Sequence, residues 1–517
     1  MAKPPQLPDD LHQLQKLVLD LSARLQRSEL EQARLRELLG AKRERRSEKL
    51  SADQLALFAA LWEAQQEAAP DAGDDNDDHD EPAPPAAGTA GTASLEPPLK
   101  KRKRTGRPEL PKDLPRETIQ YDIAHKDQPC AECQGNLRLI GEERRERLEV
   151  IPAQMKVVEE VCYKYACPCS IHQAAKPAQP LPKSIASASV LAQVITAKFL
   201  HHLPLHRQEQ IWAVQGVTLS RKTTAGWLAQ VADLMKPLYG KLKQHVFGSQ
   251  VLGTDDTGVK VLDPTLSFAR KGHFWPYCGD RGHPGIVFQY TATRGTKEVI
   301  EFLRDYGGRY LQADAYSGYD ALYRDPRRDL REVACWAHCR RYYMKALETA
   351  KEQVGPALHL IHRLYRVEAE VREFTPAQRL TWRQEKSVPL LRELRTYLDG
   401  LALVALPQSP VGKALRYTFN QWTALNRFCE DGELAIDNNA TERTLRAIAV
   451  GRHNWMFVGS DLGGRTAATL MSFVATCRLL RIDPFAWFRD VLTRIAQGHP
   501  VNRLAELLPH CWKPLPV

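Results

Sequence analysis

Between residues 11 and 39, apolar side chains recur at alternating spacings of three and four. They are Leu11, Leu14, Val18, Leu21 and Leu25, then Leu35 and Leu39, with Ser28 and Gln32 in the two slots that break the series. Such a heptad seam predicts a two-stranded coiled coil, and it equally fits one amphipathic helix packed on its own protein. Alternation near Val157 to Tyr165 predicts a strand, and residues 186 to 236 return to helical periodicity. Within them Leu205–Val214, the turn Gly216-Val217-Thr218 and a second helix opened by Ser220 have helix-turn-helix grammar. From residue 249 the period shortens to that of strands: Val251–Leu262, Gly272–Tyr277 and Ile286–Tyr290. An amphipathic helix, Thr296–Tyr306, follows, and a fourth strand, Tyr310–Ala313, runs straight into Asp314. Residues 345 to 429 are helical in pattern, with Leu358, Ile361 and Leu364 on one stripe.

A chain of 517 residues, 43% hydrophobic and 26% charged, has the length of several domains and enough apolar side chains for ordinary cores. Its longest apolar runs are as short as Leu401–Leu406, far below the ~20 residues of a membrane-spanning helix. The opening MAKPPQLPDDL lacks the layout of a secretion signal, so a cytoplasmic protein is expected. Net charge is +10, yet residues 71–81 hold seven acidic side chains and no Lys or Arg, which leaves the remainder at +17. That excess favours a polyanionic partner, nucleic acid first. Residues 66–98, rich in Ala, Pro, Gly and Asp, have too little apolar surface to offset the entropy of ordering and read as a linker. It ends in Lys100, Lys101, Arg102, Lys103, Arg104 and Arg107, a basic arm suited to phosphates or to the acidic run upstream.

Candidate chemistry falls at three places. Eleven cysteines, an odd number, point to reduced thiols or metal ligands rather than a disulfide framework. The C-x-x-C pair Cys130 and Cys133, with the tighter C-x-C pair Cys167 and Cys169, can close a tetrahedral structural Zn²⁺ site; Cys162 or His172 can replace a member of the second pair. In the second helix of the helix-turn-helix, Arg221 and Lys222 stand where DNA is met. Three strands, a helix and a fourth strand is the order of ribonuclease-H-like nucleotidyl transferases, in which a first-strand carboxylate meets another at the end of the fourth. Asp255 and Asp256 adjoin on the first strand, so only one is expected to face Asp314. Glu442, in DNNATERTLR, is the candidate third carboxylate; its spacing from Asn439 also fits a capping box, and Arg446 stands at i+4. Three converging carboxylates suit Mg²⁺ or Mn²⁺. Cys335-Trp336-Ala337-His338 is a C-x-x-H element, a metal site only with further ligands, followed by Arg340 and Arg341 facing phosphates. Arg452 precedes Trp455, which stacks on a base or fills the core, and a Gly-rich loop is expected at Gly459–Arg465.

The stretches GAKRERRSEKL, LRLIGEE, LGTDDTGVKVL, LQADAYSGYDALY, ACWAHCRRYY and LAIDNNATERTLRAIAVGRHNWMFVGSDLGG span nearly the whole chain. In that order they resemble the insertion-sequence-sixty-six family of DDE transposases from bacterial mobile elements. The resemblance implies a catalytic triad of Asp255, Asp314 and Glu442, an N-terminal zipper, a zinc-binding module and a helix-turn-helix for the element's ends. It implies as partners the terminal repeats and target DNA, a homodimer or higher assembly through the coiled coil, and small accessory proteins of the same element, in a nucleoid-associated cytoplasmic setting. The expected architecture is multidomain: coiled coil at 1–60, disordered linker with basic arm at 61–117, zinc-binding module at 118–180 and helix-turn-helix region at 181–245. An α/β ribonuclease-H-like catalytic domain follows at 246–480 with an all-helical insertion at 345–430, then a C-terminal helical region at 481–517.

If the acidic run masks the basic arm, deleting residues 71–81 raises non-specific DNA affinity at low salt, as read by titration of a random duplex; unchanged affinity would sink the idea.

Overall fold

The structure, a computed structural model, describes residues 52–67, 154–167, 169–263 and 265–514. The heptad seam, the acidic run, the basic arm Lys100–Arg107 and the Cys130–Cys133 knuckle lie outside these residues. The chain divides into two compact units, residues 1–70 with 157–517, and residues 71–156. Every helix and strand among the described residues belongs to the first unit.

Helix α1 (Ala52–Glu67) carries Phe58, which is fully buried in the core of the later helices. This corrects the expected boundary between a zipper ending at 60 and a linker starting at 61. Phe58, Leu61 and Trp62 supply apolar surface that is worth more buried than solvated, so the helix runs on to Glu67. Strands β1 (Lys164–Cys167) and β2 (Ser170–Gln173) form an antiparallel hairpin with Cys167 paired to Ser170, which puts Cys169 in the turn.

Helices α2 (Ala188–Phe199), α3 (Leu205–Val214), α4 (Arg221–Leu234) and α5 (Lys236–Phe247) come next. Gly216 takes a positive φ of 78° after α3, and Ser220 Oγ accepts the Thr223 N–H at 3.1 Å, so the expected turn and Ser cap are present. Trp212, Trp227, Leu228 and Val231 are buried along this helix pair.

A six-stranded sheet follows, made of β3 (Val251–Thr254), β4 (Thr257–Val261), β5 (Arg270–Cys278), β6 (Ile286–Thr291), β7 (Tyr310–Gln312) and β8 (Arg331–Val333). Helix α6 (Thr296–Phe302) joins β6 to β7, and the short α7 (Asp320–Tyr323) precedes β8. Strand β5 pairs antiparallel with β6 on one edge and with both β3 and β4 on the other, while β7 and β8 run parallel to β3. Gly253 faces Cys278 and Thr257 faces Phe274, so β3 and β4 keep one register against β5. The single strand expected at Val251–Leu262 is therefore present but opens at Asp255–Asp256, opposite Trp275 and Pro276, where proline has no N–H to give the ladder.

Helices α8 (Trp336–Ala346), α9 (Lys351–Glu370), α10 (Pro376–Trp382), α11 (Val388–Val404), α12 (Pro410–Asn420) and α13 (Trp422–Asn426) fill the stretch after β8. Leu358, Ile361 and Leu364 are fully buried there, and helicity begins at Trp336, earlier than the expected 345. Arg383, only 1% exposed, holds both carboxylate oxygens of Glu368 and donates to the carbonyls of Phe428, Asp431 and Leu434. It thereby fixes the loop that leads to α14 (Asn439–Trp455).

Helices α15 (Asp461–Leu479) and α16 (Pro484–Ala496) complete the unit, with α16 packed on α2. The Gly-rich segment at 459–465 is not a loop. Ser460 caps α15, and Gly464 lies in its first turns, where a Cβ would sit 2.6 Å from the Tyr290 ring. Ser472 Oγ accepts the Phe288 N–H, and Thr476 Oγ1 bonds both polar backbone groups of Ile286, so α15 occupies the start of the β6 edge with hydroxyls. The β8 edge is closed by Ala334 N–H donating to the Ala424 carbonyl and by Arg427 donating to the Glu332 carbonyl.

Helix α14 can approach β3 only because residue 253 has no side chain: a Cβ there would lie 2.4 Å from Thr441 Oγ1. Gly253→Ala is expected to cost about 1–3 kcal/mol by overpacking, measured by urea denaturation, whereas Gly226→Ala on α4, with open space at its Cβ position, stays near neutral or stabilises.

Candidate active site

Parallel pairing aligns Val251 with Tyr310 and Gly253 with Gln312, so continuing the register sets Asp314 beside Asp255 on the neighbouring strand. Strands in a sheet lie about 4.8 Å apart, close enough for two carboxylates to meet. Carboxylate oxygens of Asp255, Asp256 and Asp314 do lie within 4.8 Å of one another. The expectation that only one of the adjacent aspartates faces Asp314 is corrected here. It assumed strict alternation along a paired strand, and these two residues lie in the unpaired gap between β3 and β4. The residue after Asp314, Ala315, has φ 61°, a left-handed conformation that costs a non-glycine residue of order 1 kcal/mol and recurs at functional sites.

The two adjacent aspartates have different surroundings. Asp256 Oδ2 lies 2.6 Å from His273 Nδ1, and its Oδ1 accepts from Arg294 Nε at 3.0 Å and Nη2 at 2.6 Å. Burial works against its charge, but the bonds to His273 and Arg294 outweigh that and hold the carboxyl below the usual carboxylate range. Asp255 accepts only the Asp256 N–H, at 2.7 Å, among the side-chain hydrogen bonds described. Burial, opposed by that bond and reinforced by the charges of Asp314, Glu442 and Asp256, pushes it up to about 7. Burial also raises Asp314, with Asp256 adding to the effect and His338 and Arg294 opposing it. Arg294 stacks on the Tyr316 ring at 4.5 Å, accepts the Tyr316 hydroxyl at its carbonyl, and reaches Asp314 Oδ2 at 3.9 Å. Sequence reasoning missed Arg294 and His273. Each stands on a separate strand or turn, and only the pairing of β5 with β4 and β6 brings them to Asp256.

Glu442 lies in the first turn of α14. Its Oε2 receives Arg341 Nη2 at 2.9 Å, while its Oε1 lies 3.5 Å from Arg341 Nη1 and 3.6 Å from His338 Nδ1. The capping box does not form: the helix N-cap is Asn438, with no side-chain cap bond, and Asp437 instead holds the backbone and side chain of Asn439. Asn438 donates from Nδ2 to the Thr254 carbonyl at 2.8 Å and from its backbone N–H to Cys335 Sγ at 3.2 Å. One donor atom each from Cys335, His338 and Glu442 also lie mutually within 4.8 Å, a second potential metal cluster. Glu442 is thus grouped with the C-x-x-H element, yet its charge is felt at Asp255 and that of His338 at Asp314, so the two clusters are electrostatic neighbours.

The remaining candidates separate. Arg221 and Lys222 are exposed at the start of α4. Arg341 is engaged with Glu442, and Arg340 beside it is half-buried. Arg452 Nη1 donates to Thr257 Oγ1 at 3.2 Å and to the Gly258 carbonyl at 2.9 Å, which ties α14 to β4. Trp455 belongs to the end of α14 rather than to a strand and packs on the core formed by β4, β5 and β6, while Trp336 is fully buried and donates to the Leu425 carbonyl.

Comparisons with known proteins agree along the chain. Residues 183–466 match the family described as Transposase IS66 family, and residues 472–510 match the IS66 C-terminal element. Residues 127–170 match the zinc-finger binding domain of transposase IS66, and residues 27–119 match Transposase C of IS166 homeodomain. Two uncharacterised proteins of Sinorhizobium fredii are similar over most of their length. One, y4jD, is 34% identical over 78% of this chain and 81% of its own; the other, y4hP, is 33% identical over 80% and 78%. With more than half of its residues inside the principal match and a zinc-finger domain ahead of it, this chain belongs to the IS66 family of transposases.

Proposed function

We propose that the chain is a divalent-metal-dependent DNA transposase whose triad is Asp255, Asp314 and Glu442. The observation that carries this reading is the β3–β7 register, which sets Asp314 beside Asp255 while α14 brings Glu442 within their field. The order β6-β5-β3/β4-β7-β8, antiparallel on one side and parallel on the other, supports a ribonuclease-H-like core, with α8–α13 as an all-helical insertion before the third carboxylate.

The donor set fits a hard cation. Two clustered carboxylates, one of them raised to about 7, repel each other until a positive charge arrives. Asp256, already held by His273 and Arg294, anchors the cluster rather than serving as a ligand. A Mg²⁺ or Mn²⁺ pair held by Asp255, Asp314 and Glu442 would activate a water or 3′-hydroxyl and stabilise the leaving oxygen of an in-line displacement. Arg294 fixes the spacing of the aspartates, and Arg341 holds Glu442 until the third ligand is needed. The products are freed 3′-hydroxyl ends, then joined to target DNA. Arg221 and Lys222 meet DNA at the exposed start of α4, the basic arm Lys100–Arg107 adds phosphate contacts, and Cys130, Cys133, Cys167 and Cys169 hold the structural Zn²⁺. The N-terminal seam makes the assembly dimeric, and accessory proteins of the element join it.

Losing an outer-shell partner costs a metal site about 10–100-fold, so Glu442→Gln, Asp255→Asn and Asp314→Asn should each lower transposition by at least about 100-fold. A bacterial assay on the native element's ends, beside a gel shift for DNA binding, measures this; Glu442→Gln protein that still transposes would move the third ligand elsewhere.

The raised Asp255 pKa gives a second expectation. The folded state binds an extra proton between about 4, the ordinary value, and about 7. Its stability contribution is therefore full below that window and is lost as pH rises through about 7. In Mg²⁺-free buffer, wild type should lose melting temperature across pH 5–8 relative to Asp255→Asn, and added Mg²⁺ should close the gap; parallel curves without Mg²⁺ would show Asp255 titrating normally.

A further inference from the structure

We propose that Cys335, His338 and Glu442 form a second, regulatory Zn²⁺ site, separate from the zinc-finger domain, that withholds Glu442 from the aspartates. The inhibitory half of this rests on Glu442 being the third ligand of the aspartate site; the existence of the site does not.

Cys335 is the N-cap of α8 and His338 stands three residues on, so both project from one turn of that helix, while Glu442 projects from the first turn of α14. Two helix N-termini thus converge on a thiol and a carboxylate; burial pushes the Cys335 thiol up to about 11, opposed by the Asn438 and His338 backbone N–H groups, so the thiol stays protonated until an ion binds. Ligands at about 2.0–2.3 Å around tetrahedral zinc stand roughly 3.3–3.7 Å from one another. His338 Nδ1 and Glu442 Oε1 are 3.6 Å apart, too far for a hydrogen bond and within the range for two ligands of one ion. Oε2 carries the stronger bond to Arg341, at 2.9 Å, which orients the carboxylate with Oε1 toward the histidine. The Asn438 N–H at 3.2 Å from Cys335 Sγ is the kind of outer-shell donor that steadies a thiolate, and the thiol proton leaves to solvent when the ion binds. A thiolate, an imidazole and one carboxylate select zinc over magnesium, and three protein ligands leave the fourth position to water. While Glu442 serves this ion, it cannot also complete the oxygen-only set at Asp255 and Asp314.

The test uses the full-length chain, purified with its zinc finger loaded. Zinc per chain after gel filtration, and near-ultraviolet thiolate-to-cobalt absorption after Co²⁺ exchange, are compared among wild type, Cys335→Ser and His338→Ala, with thermal melts to establish folding. Wild type should hold one more equivalent than either variant. Equal metal content in folded wild type and Cys335→Ser overturns the site; should Cys335→Ser misfold, His338→Ala decides in the same way. In a Mg²⁺-dependent DNA-nicking assay with added Zn²⁺, wild type should be inhibited and Cys335→Ser should need at least about tenfold more zinc. An extra equivalent without inhibition would leave the site standing and overturn the assignment of Glu442 to the aspartate cluster.

Discussion

Like charges have to be assembled against their own repulsion, and here the sheet's hydrogen-bond register does the assembling. The alignment of Gly253 with Gln312 is fixed by backbone bonds, so the closeness of Asp255 and Asp314 follows from the ladder rather than from affinity between them. The third carboxylate depends on the same strand. The bare Cα of Gly253 admits Thr441, and Asn438 hooks the Thr254 carbonyl, which sets the first turn of α14 against the end of β3.

Around this strained assembly the chain supplies fixed cations rather than leaving neutralisation to solvent. Arg294, stiffened by Tyr316, serves Asp256 and approaches Asp314; Arg341 serves Glu442. Further out, Arg383 does for the approach to α14 what they do for the acids, gathering three carbonyls and a carboxylate into one buried knot. Positions thus over-determined can hold a conformation such as that of Ala315, which the local backbone alone would avoid.

Much of this was legible in the chain. Periodicity located the four strand segments expected after residue 249 and the helix at 296, while the alternation near Val157 to Tyr165 became a strand only from Lys164; the placement of Asp314 at a strand end followed from where the apolar run stops. What escaped were facts that exist only in three dimensions. The break at Asp255–Asp256 stands opposite Pro276, twenty residues away in sequence, so no local pattern announces it. Asn439-Ala-Thr-Glu442 reads as a capping box until Arg341 and His338, about a hundred residues upstream, claim the glutamate. Short-range rules also misplaced Gly459–Arg465, because glycines usually punctuate loops and here Gly464 makes room for the Tyr290 ring.

The hydroxyls that α15 lends to β6 bear on how copies of this protein can meet. With Ser472 and Thr476 occupying backbone groups on the β6 margin, and the Ala424 carbonyl with Arg427 occupying the β8 margin, neither of these two borders offers an unobstructed ladder to a neighbouring chain. A continuous intermolecular sheet through β6 would first require α15 to be prised away.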